Sequence, residues 1–415
     1  MAILRSFRGY RPRKELAHLI ASRPYDVLSS EEAREEARDN PYSFLHVVKP
    51  EIDLPPSVDP YSREVYLKGK ENLINMIKDG IMVQDEKPCL YIYAQTYLGK
   101  TQYGIVGCAS VLDYINNVIR KHELTRPDKE EDRKTHIRVT NFNAEPVFFA
   151  HPPHEELEKI VSQITLSGPE YDFVADDNIG HKFWVIKQKE LIQRIEEIFA
   201  TEIPFTYVAD GHHRTAAAGL VGNERRHQDP KHTGMEEYNF FLAVLFPSDQ
   251  LTILDYNRVV RDLNGLTPGQ LLEKIRSSFD VMDKGMDIYR PSGLHNFSMY
   301  LEGMWYSLTA KKNTYKDSDP ISRLDVSILS VEILDKVLGI ADLRKSKKID
   351  FVGGMRGLGE LKARVDSSEM KVAFALYPVT MEQLMEIADT DNIMPPKTTW
   401  FEPKLRSGLV INCLE

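Results

Sequence analysis

The segment 205–220 constrains the fold more than any other, because it joins an apolar run to an alanine-rich run through a polar turn. Residues 205–208 are typical of a buried strand, and residues 215–220 are typical of a helix. The turn between them reads Asp210-Gly211-His212-His213-Arg214. A glycine there permits a tight turn or a close approach of the backbone to a ligand. We therefore expect a strand–turn–helix unit whose polar groups lie at the helix N-terminus.

This turn has the chemistry of an anion-binding site. The first amides of a helix lack intrahelical acceptors and lie at the positive end of the helix dipole, so they attract negatively charged groups. His212, His213 and Arg214 add side-chain donors, and an arginine can bind two phosphate oxygens at once. Asp210 cannot itself attract an anion, so its carboxylate suits the binding of Mg²⁺ or of a reacting hydroxyl.

Two other interpretations of the turn are open. Asp210 could simply cap the helix, with both histidines packed or exposed without a function. A transition-metal site is the other interpretation, but adjacent histidine side chains diverge, and the sequence offers no further ligands at the usual spacing.

The composition fits a folded protein and argues against several classes of function. The chain has 415 residues, of which 42% are hydrophobic and 28% charged, enough to bury a core. Its net charge of -9 argues against a protein that mainly binds nucleic acid. Cys89, Cys108 and Cys413 are too far apart to indicate a zinc site or a disulfide framework. No apolar run approaches the roughly 20 residues that span a bilayer, so we expect a cytoplasmic protein without a membrane partner.

Strands and helices alternate without a regular βαβ rhythm, which favours an α+β fold over a doubly wound sheet. We predict three parts: an N-terminal α/β segment at 1–110, a core at 111–264 and a C-terminal α/β domain at 265–415. The charge-dense stretch 120–138 is expected to be a solvated loop that leads into an exposed helix. Two serines followed by two glutamates at 29–32 predict the start of another helix.

Three motifs resemble those of the archaeal free serine kinases, which are members of the ParB/sulfiredoxin-like superfamily. The turn at 210–214 matches their D-G-H-H-R motif, Lys121-His122-Glu123 resembles their P-H-E segment, and Pro396-Lys397-Thr398-Thr399 resembles their P-K-T-T segment. The whole chain also resembles a large family of bacterial and archaeal proteins with R-P-Y-D-V near the start (23–27) and S-G-L-V-I near the end (407–411). Residues 1–110 have no counterpart in the shorter kinases.

The resemblance implies a ParB/sulfiredoxin-like core that transfers a phosphoryl group from ADP or ATP, with Mg²⁺, to free L-serine or a similar small hydroxyl compound. It further implies a role for each residue of the motifs. Glu123 and Asp210 would be catalytic, Gly211, His212, His213 and Arg214 would bind the nucleotide phosphates, Asp210 would also hold Mg²⁺, and His122, Lys397, Thr398 and Thr399 would bind the substrate.

Other members of the superfamily suggest other functions. A sulfiredoxin-type reductase would need a cysteine in the phosphate loop, and positions 210–214 contain none. A ParB-type switch would bind DNA, which the acidic composition disfavours. The alternative to a kinase is therefore a nucleotide-binding or regulatory protein of the same superfamily that catalyses no reaction.

Overall fold

The computed structural model describes all 415 residues, and its contacts divide the chain into two compact units. Unit 1 contains residues 1–251 and 403–415, and unit 2 contains residues 252–402. Both units combine helices with sheets, which confirms the predicted α+β class. The sequence predicts boundaries at 110 and 264, whereas the contacts separate the units at 251/252 and 402/403. Strands from both sides of residue 110 pair in one sheet of unit 1.

Unit 1 contains the predicted turn. Its helices are α1 (Ala17–Ile20), α2 (Ser30–Ala37), α3 (Leu45–Val48), α4 (Arg63–Lys78), α5 (Val111–Ile115), α6 (Pro127–Thr140), α7 (Glu155–Thr165), α8 (Lys189–Glu202) and α9 (His212–Gln228). Its strands up to residue 251 are β1 (Leu4–Arg5), β2 (Tyr10–Pro12), β3 (Met82–Gln84), β4 (Leu90–Tyr97), β5 (Lys100–Ser110), β6 (Ile119–Arg120), β7 (Phe142–Asn143), β8 (Val147–His151), β9 (Tyr171–Val174), β10 (Gly180–Ile186), β11 (Thr206–Asp210) and β12 (Phe240–Pro247).

The main sheet of unit 1 is mixed. Its strand order is β6-β11-β8-β12-β5-β4-β10-β9, and β1 pairs with β5 as well. β11 runs parallel to β6, β12 runs parallel to β8, and the other pairs are antiparallel. Parallel neighbours end at the same edge of a sheet. The residues that follow β6 and β11, which include His122 and the turn at 210–214, therefore lie at one edge.

Local sequence explains why these elements form. All eight residues of β12 are buried, as expected for an apolar strand in the middle of a sheet. In α7, Leu157, Ile160 and Ile164 recur at helical spacing and pack into the core beneath the sheet. At the start of α2, the Ser29 side chain and Glu32 form a capping box, which confirms the predicted helix start.

The helix α6 corrects one expectation. The charge-dense stretch 120–138 predicts an exposed helix, yet Asp132, Arg133 and His136 are buried. Arg133 forms ion pairs with Asp132 and Glu145, and His136 Nε2 lies 2.9 Å from the carbonyl oxygen of Val47. Burial of these groups is tolerated because each has a partner of opposite charge or a hydrogen bond.

Unit 2 is built on a second sheet. Its helices are α10 (Pro268–Ile275), α11 (Asp325–Leu329), α12 (Gly357–Asp366) and α13 (Met381–Asp389), and α11 continues into a π-helical turn at 330–335. Its strands are β13 (Ile253–Leu254), β14 (Tyr256–Val260), β15 (Phe279–Gly285), β16 (Asn296–Leu301), β17 (Met304–Ala310), β18 (Ile349–Gly353), β19 (Val372–Ala375) and β20 (Trp400–Phe401). Six of them form a sheet in the order β15-β17-β16-β19-β14-β18.

After unit 2 the chain returns to unit 1. The strand β21 (Asn412–Cys413) pairs with β7, and Leu414 is buried in the core of the main sheet. The serine at the start of the S-G-L-V-I motif, Ser407, exchanges backbone hydrogen bonds with Ser22. The first and last segments of the chain are thus part of the same unit.

No helix of the chain is both long enough and apolar enough to cross a lipid bilayer.

Candidate functional site

The predicted strand–turn–helix is present. β11 ends at Asp210, α9 begins at His212, and Gly211 joins them with a φ of 87°. A Cβ atom at Gly211 would lie 3.2 Å from the Arg214 guanidinium, so glycine is required by both its conformation and its neighbour. No side chain caps α9, and its first intrahelical bond runs from Thr215 N to Gly211 O at 2.9 Å. The amides of the first turn are therefore available to an anion.

Asp210 is held by two cations. Lys404 Nζ lies 2.7 Å from Oδ1, and Arg214 Nη2 lies 3.1 Å from Oδ2. Burial disfavours the ionised carboxylate, but the charges of Lys404 and Arg214 outweigh burial and lower the pKa of Asp210 to about 2. Asp210 is thus ionised at neutral pH, and it fixes the position of a lysine and an arginine beside the helix N-terminus.

A Mg²⁺ ion at Asp210 fits this environment poorly. Each carboxylate oxygen already faces a positive charge. No group of three or more His, Cys, Asp or Glu side chains is arranged to hold a metal ion. A divalent cation at Asp210 would be repelled by Lys404 and Arg214. These side chains therefore favour Asp210 as a partner of two cations over Asp210 as a Mg²⁺ ligand.

His122, Glu123 and His212 lie together, as the parallel pairing of β6 and β11 requires. The rings of His122 and His212 meet edge to face with centroids 4.5 Å apart, and Glu123 Oε2 lies 3.9 Å from His212 Nδ1. Burial lowers the pKa of His122 to about 4 and holds that of His212 well below its usual range. Both imidazoles are therefore neutral at pH 7, and each can donate one hydrogen bond.

His213 and Arg214 face different surroundings. Arg126 N donates to His213 Nε2 at 3.0 Å, so the proton of the neutral, half-buried His213 ring is on Nδ1. Arg214 is buried, and its Nη1 donates to the carbonyl of Pro146 at 2.6 Å while its Nη2 bonds Asp210. Both terminal nitrogens of Arg214 are thus engaged within the protein. The predicted two-pronged phosphate contact by Arg214 would require these bonds to change.

A buried network supports the turn from behind. Glu145 accepts hydrogen bonds from the Tyr25 amide at 3.1 Å, Ser407 Oγ at 3.4 Å and Arg133 Nη1 at 3.3 Å. The Arg133 guanidinium lies 3.9 Å from the centre of the Tyr25 ring. Glu145 also precedes Pro146, whose carbonyl binds Arg214. The R-P-Y-D-V and S-G-L-V-I motifs are therefore joined to the D-G-H-H-R turn through Glu145.

The structure brings together most of the predicted site. His122, Glu123 and residues 210–214 meet in unit 1. The predicted substrate contacts Lys397, Thr398 and Thr399 belong to unit 2. There Lys397 has a φ of 60°, and Thr398 Oγ1 donates to the carbonyl of Pro395 at 2.6 Å.

Two residues that support the turn, Lys404 and Glu145, are not predicted by the sequence patterns. Lys404 is separated from Asp210 by 194 positions and lies outside the three kinase-like motifs. Glu145 is a single acid among 62 acidic residues. The only signal for Lys404 is its place between the P-K-T-T and S-G-L-V-I segments.

Buried histidines should make the stability of unit 1 depend on pH. Burial lowers the pKa of His122, His136 and His151 to about 4 and that of His181 to about 3. Unfolded histidine titrates near ~6.5, so the unfolded chain binds more protons below that pH. The stability from these neutral histidines is complete above pH ~6.5 and should fall toward pH 4, by about 2 kcal/mol per histidine at pH 5.

Urea unfolding at pH 7 and pH 5 measures this loss. A His136→Gln variant should lose less stability than the parent between the two pH values, because glutamine does not titrate. Equal stability of the parent at both pH values would contradict the assignment of neutral, buried histidines.

No curated protein matches the sequence. Three solved structures are weakly similar to this one. They are a free serine kinase in complex with AMP (TM-score 0.37, 14% identity, 74% of this chain and 91% of that chain), a conserved hypothetical protein from Pyrococcus furiosus (0.37, 13%, 75% and 95%), and SbnI with a C-terminal truncation from Staphylococcus aureus (0.40, 11%, 74% and 87%).

A family model matches residues 4–327 of the 415 and is described as "Protein of unknown function (DUF1015)". The match extends from β1 to α11 and includes the whole turn at 210–214. The chain therefore belongs to the DUF1015 family.

Proposed function

We propose that unit 1 binds the phosphates of ADP or ATP at the first turn of α9 and transfers a phosphoryl group to the hydroxyl of free L-serine or a similar small metabolite. The observation that carries this proposal is the position of the Glu123 carboxylate, 3.9 Å from His212 at an uncapped helix N-terminus. The alternative is a protein that binds nucleotide at the same turn without transferring phosphate. The proposal includes a ParB/sulfiredoxin-like core at 111–264, between the 1–110 segment and the 265–415 domain.

Backbone amides are the main donors of the proposed phosphate site. The amides of residues 212–214 point along the axis of a helix of 17 residues, whose dipole favours negative charge at this end. Lys404 adds a positive charge beside Asp210. Arg214 adds a second positive charge, although its terminal nitrogens bond to other groups of the protein. His213, with its proton on Nδ1, can donate a hydrogen bond to a phosphate oxygen. Phosphoryl transfer depends mainly on such charge neutralisation together with the positioning of donor and acceptor.

Glu123 supplies the base in this mechanism. Its side chain is 40% exposed, so an acceptor hydroxyl can reach it. As the acceptor oxygen forms its bond to the terminal phosphorus, Glu123 takes the hydroxyl proton. The bond between that phosphorus and the bridging oxygen breaks, and the bridging oxygen keeps the electron pair on the departing nucleotide. His212, neutral and beside Glu123, helps to orient the carboxylate.

The acceptor is assigned by resemblance to the free serine kinases. The motif matches at 121–123, 210–214 and 396–399 support His122, Lys397, Thr398 and Thr399 as substrate contacts.

Nucleotide should stabilise the folded protein, and Gly211 should be required for it. A ligand that binds only the folded state at 100 times its Kd adds about 2.7 kcal/mol to the free energy of unfolding. In Gly211→Ala the new methyl group meets the Arg214 guanidinium and strains the turn. We expect ADP or ATP to raise the Tm of the parent and to leave the Tm of Gly211→Ala unchanged.

Gly234→Ala is the matched control for this experiment. Gly234 has a similar φ of 93°, but nothing lies within 4 Å of its would-be Cβ. Its substitution should cost similar backbone strain and keep the full response to nucleotide. A parent protein whose Tm does not respond to saturating ADP or ATP, with or without Mg²⁺, would rule out the phosphate site.

A further inference from the structure

Arg258 is a fully buried arginine without a carboxylate partner. It lies in β14 of unit 2, between β18 and β19, and only 1% of its surface is exposed. Its Nη1 donates to the carbonyl of Tyr256 and its Nη2 to the carbonyl of Lys397 at 2.9 Å, while its Nε has no hydrogen-bond partner. No Asp or Glu side chain forms an ion pair with it.

This arrangement is costly for a structural arginine. A buried charge is normally paired with an opposite charge, because removing an ion from water costs several kcal/mol. The Arg258 guanidinium is met by two carbonyl oxygens and by the Phe351 ring, whose centre lies 5.4 Å away, but by no carboxylate. Burial lowers the pKa of Arg258 to about 10, so the side chain stays charged at pH 7. Unit 2 therefore contains a positive charge that its own residues do not neutralise.

The charge lies directly beneath the P-K-T-T loop (396–399). Arg258 binds the carbonyl of Lys397, the residue of the loop with positive φ. Lys397 itself is exposed and forms no ion pair, and its Nζ lies 5.5 Å from the centre of the Tyr256 ring. Trp400, just after the loop, packs edge to face on the same tyrosine at 5.1 Å. Arg258 and Lys397, two positively charged side chains that form no ion pair, thus lie at the same loop.

We infer that the P-K-T-T loop binds a small anion, a carboxylate or a phosphate group, with Lys397 contacting the ligand and Arg258 acting as a positioning residue beneath it. Arg258 fixes the backbone of Lys397 through its carbonyl and adds a positive potential that an anion at the loop would neutralise. Thr398 and the loop amides can add neutral donors. The anion site is independent of the proposed function, but its use to hold the acidic group of the phosphoryl acceptor rests on that function.

Intrinsic tryptophan fluorescence can report on ligand binding in unit 2. The chain has three tryptophans, and Trp305 and Trp400 belong to unit 2 while Trp184 belongs to unit 1. In a Trp184→Phe protein the signal comes from unit 2, and Trp400 lies next to the loop. This protein is titrated at constant ionic strength with inorganic phosphate, with L-serine, and with serinol, which has the amine and hydroxyl of serine without its carboxylate.

We expect a saturable change with phosphate or L-serine and none with serinol. Saturation by L-serine alone would identify a carboxylate site, and saturation by phosphate alone would identify a phosphate site. Lys397→Ala should weaken binding by about tenfold or more, as expected for loss of a charge-assisted bond. Arg258→Gln should do the same, and Arg258→Lys should recover part of the affinity. Lys347→Ala, an exposed lysine elsewhere in unit 2, should change nothing.

The inference fails if neither phosphate nor L-serine saturates the signal, if serinol binds as well as L-serine, or if Lys397→Ala binds like the parent. If circular dichroism shows that the Arg258 variants do not fold, Lys397→Ala decides. Stabilisation by ADP is measured separately on the same proteins. If ADP does not stabilise the protein, the nucleotide proposal is wrong, but the anion site can still be correct. If ADP stabilises the protein and no anion changes the fluorescence, the anion site is wrong, but the nucleotide proposal can still be correct.

Discussion

Replacement of Glu123 by glutamine is expected to lower the rate of phosphoryl transfer to L-serine by about two to four orders of magnitude, the usual contribution of a general base. Glutamine has nearly the same size and can stay beside His212, so the affinity for nucleotide should change little. The expected pattern is a fall in kcat with an unchanged nucleotide Kd. Mass spectrometry of phosphoserine formed from ADP or ATP measures the rate, and calorimetry measures the binding.

Glu131→Gln provides the control for that variant. Glu131 lies nearby in sequence, on α6, where it forms exposed ion pairs with Lys134 and Arg138. Its substitution should leave turnover intact. A Glu123→Gln protein with normal turnover would exclude Glu123 as the base. If the parent phosphorylates no serine with either nucleotide, the alternative of a nucleotide-binding protein without transferase activity is favoured.

The second large effect is expected at Arg133. Arg133→Met removes the positive charge between two buried carboxylates, Asp132 and Glu145. Breaking a buried ion pair from one side costs about 3–5 kcal/mol, because the remaining charge loses its partner. We expect a loss of that order in the free energy of unfolding, measured in urea at pH 7. The turn at 210–214 should lose nucleotide affinity as well, since Glu145 and Pro146 support Arg214.

Arg138→Met tests whether the burial of Arg133 causes the loss of stability expected for Arg133→Met. Arg138 lies on the same helix and pairs with Glu131 and Glu224, but its side chain is 37% exposed. Exposed pairs contribute about 0–1 kcal/mol, so this variant should stay near the parent. The double variant Arg133→Met/Glu145→Gln should regain part of the loss, because it removes one of the unpaired charges. Equal stabilities of Arg133→Met and Arg138→Met would contradict the buried network.

Local patterns predict the site where its residues are close in sequence. The strand, the glycine and the helix at 205–220 could be predicted because an apolar run, a polar turn and an alanine-rich run each have one typical structure. The motif resemblance implies that Glu123 and the turn serve one site, and the pairing of β6 with β11 is the physical reason that Glu123 lies near His212. The neutrality of both histidines could not be predicted, because it depends on burial by distant residues.

Long-range contacts determine the burial of Arg133 and the pairing of Lys404 with Asp210, which local sequence patterns do not predict. The helix α6 has charges on all sides, and nothing in its pattern indicates that Arg133 is buried while Arg138 is exposed. That difference arises from Glu145, Tyr25 and Asp132, which the fold places around Arg133. In the same way, Lys404 meets Asp210 only because the chain returns to unit 1 after unit 2.

The return of the chain to unit 1 after unit 2 determines when the contacts of the turn can form during synthesis. The ribosome makes residues 1–251 first, then all of unit 2, and only afterwards residues 403–415. Until this last segment leaves the exit tunnel, Asp210 lacks its lysine, Glu145 lacks Ser407, and β7 lacks its partner strand. The nascent chain therefore cannot complete the contacts around the turn while unit 2 is still being translated, and a chain truncated at residue 251 would retain the D-G-H-H-R turn without Lys404, one of the two cations that hold Asp210.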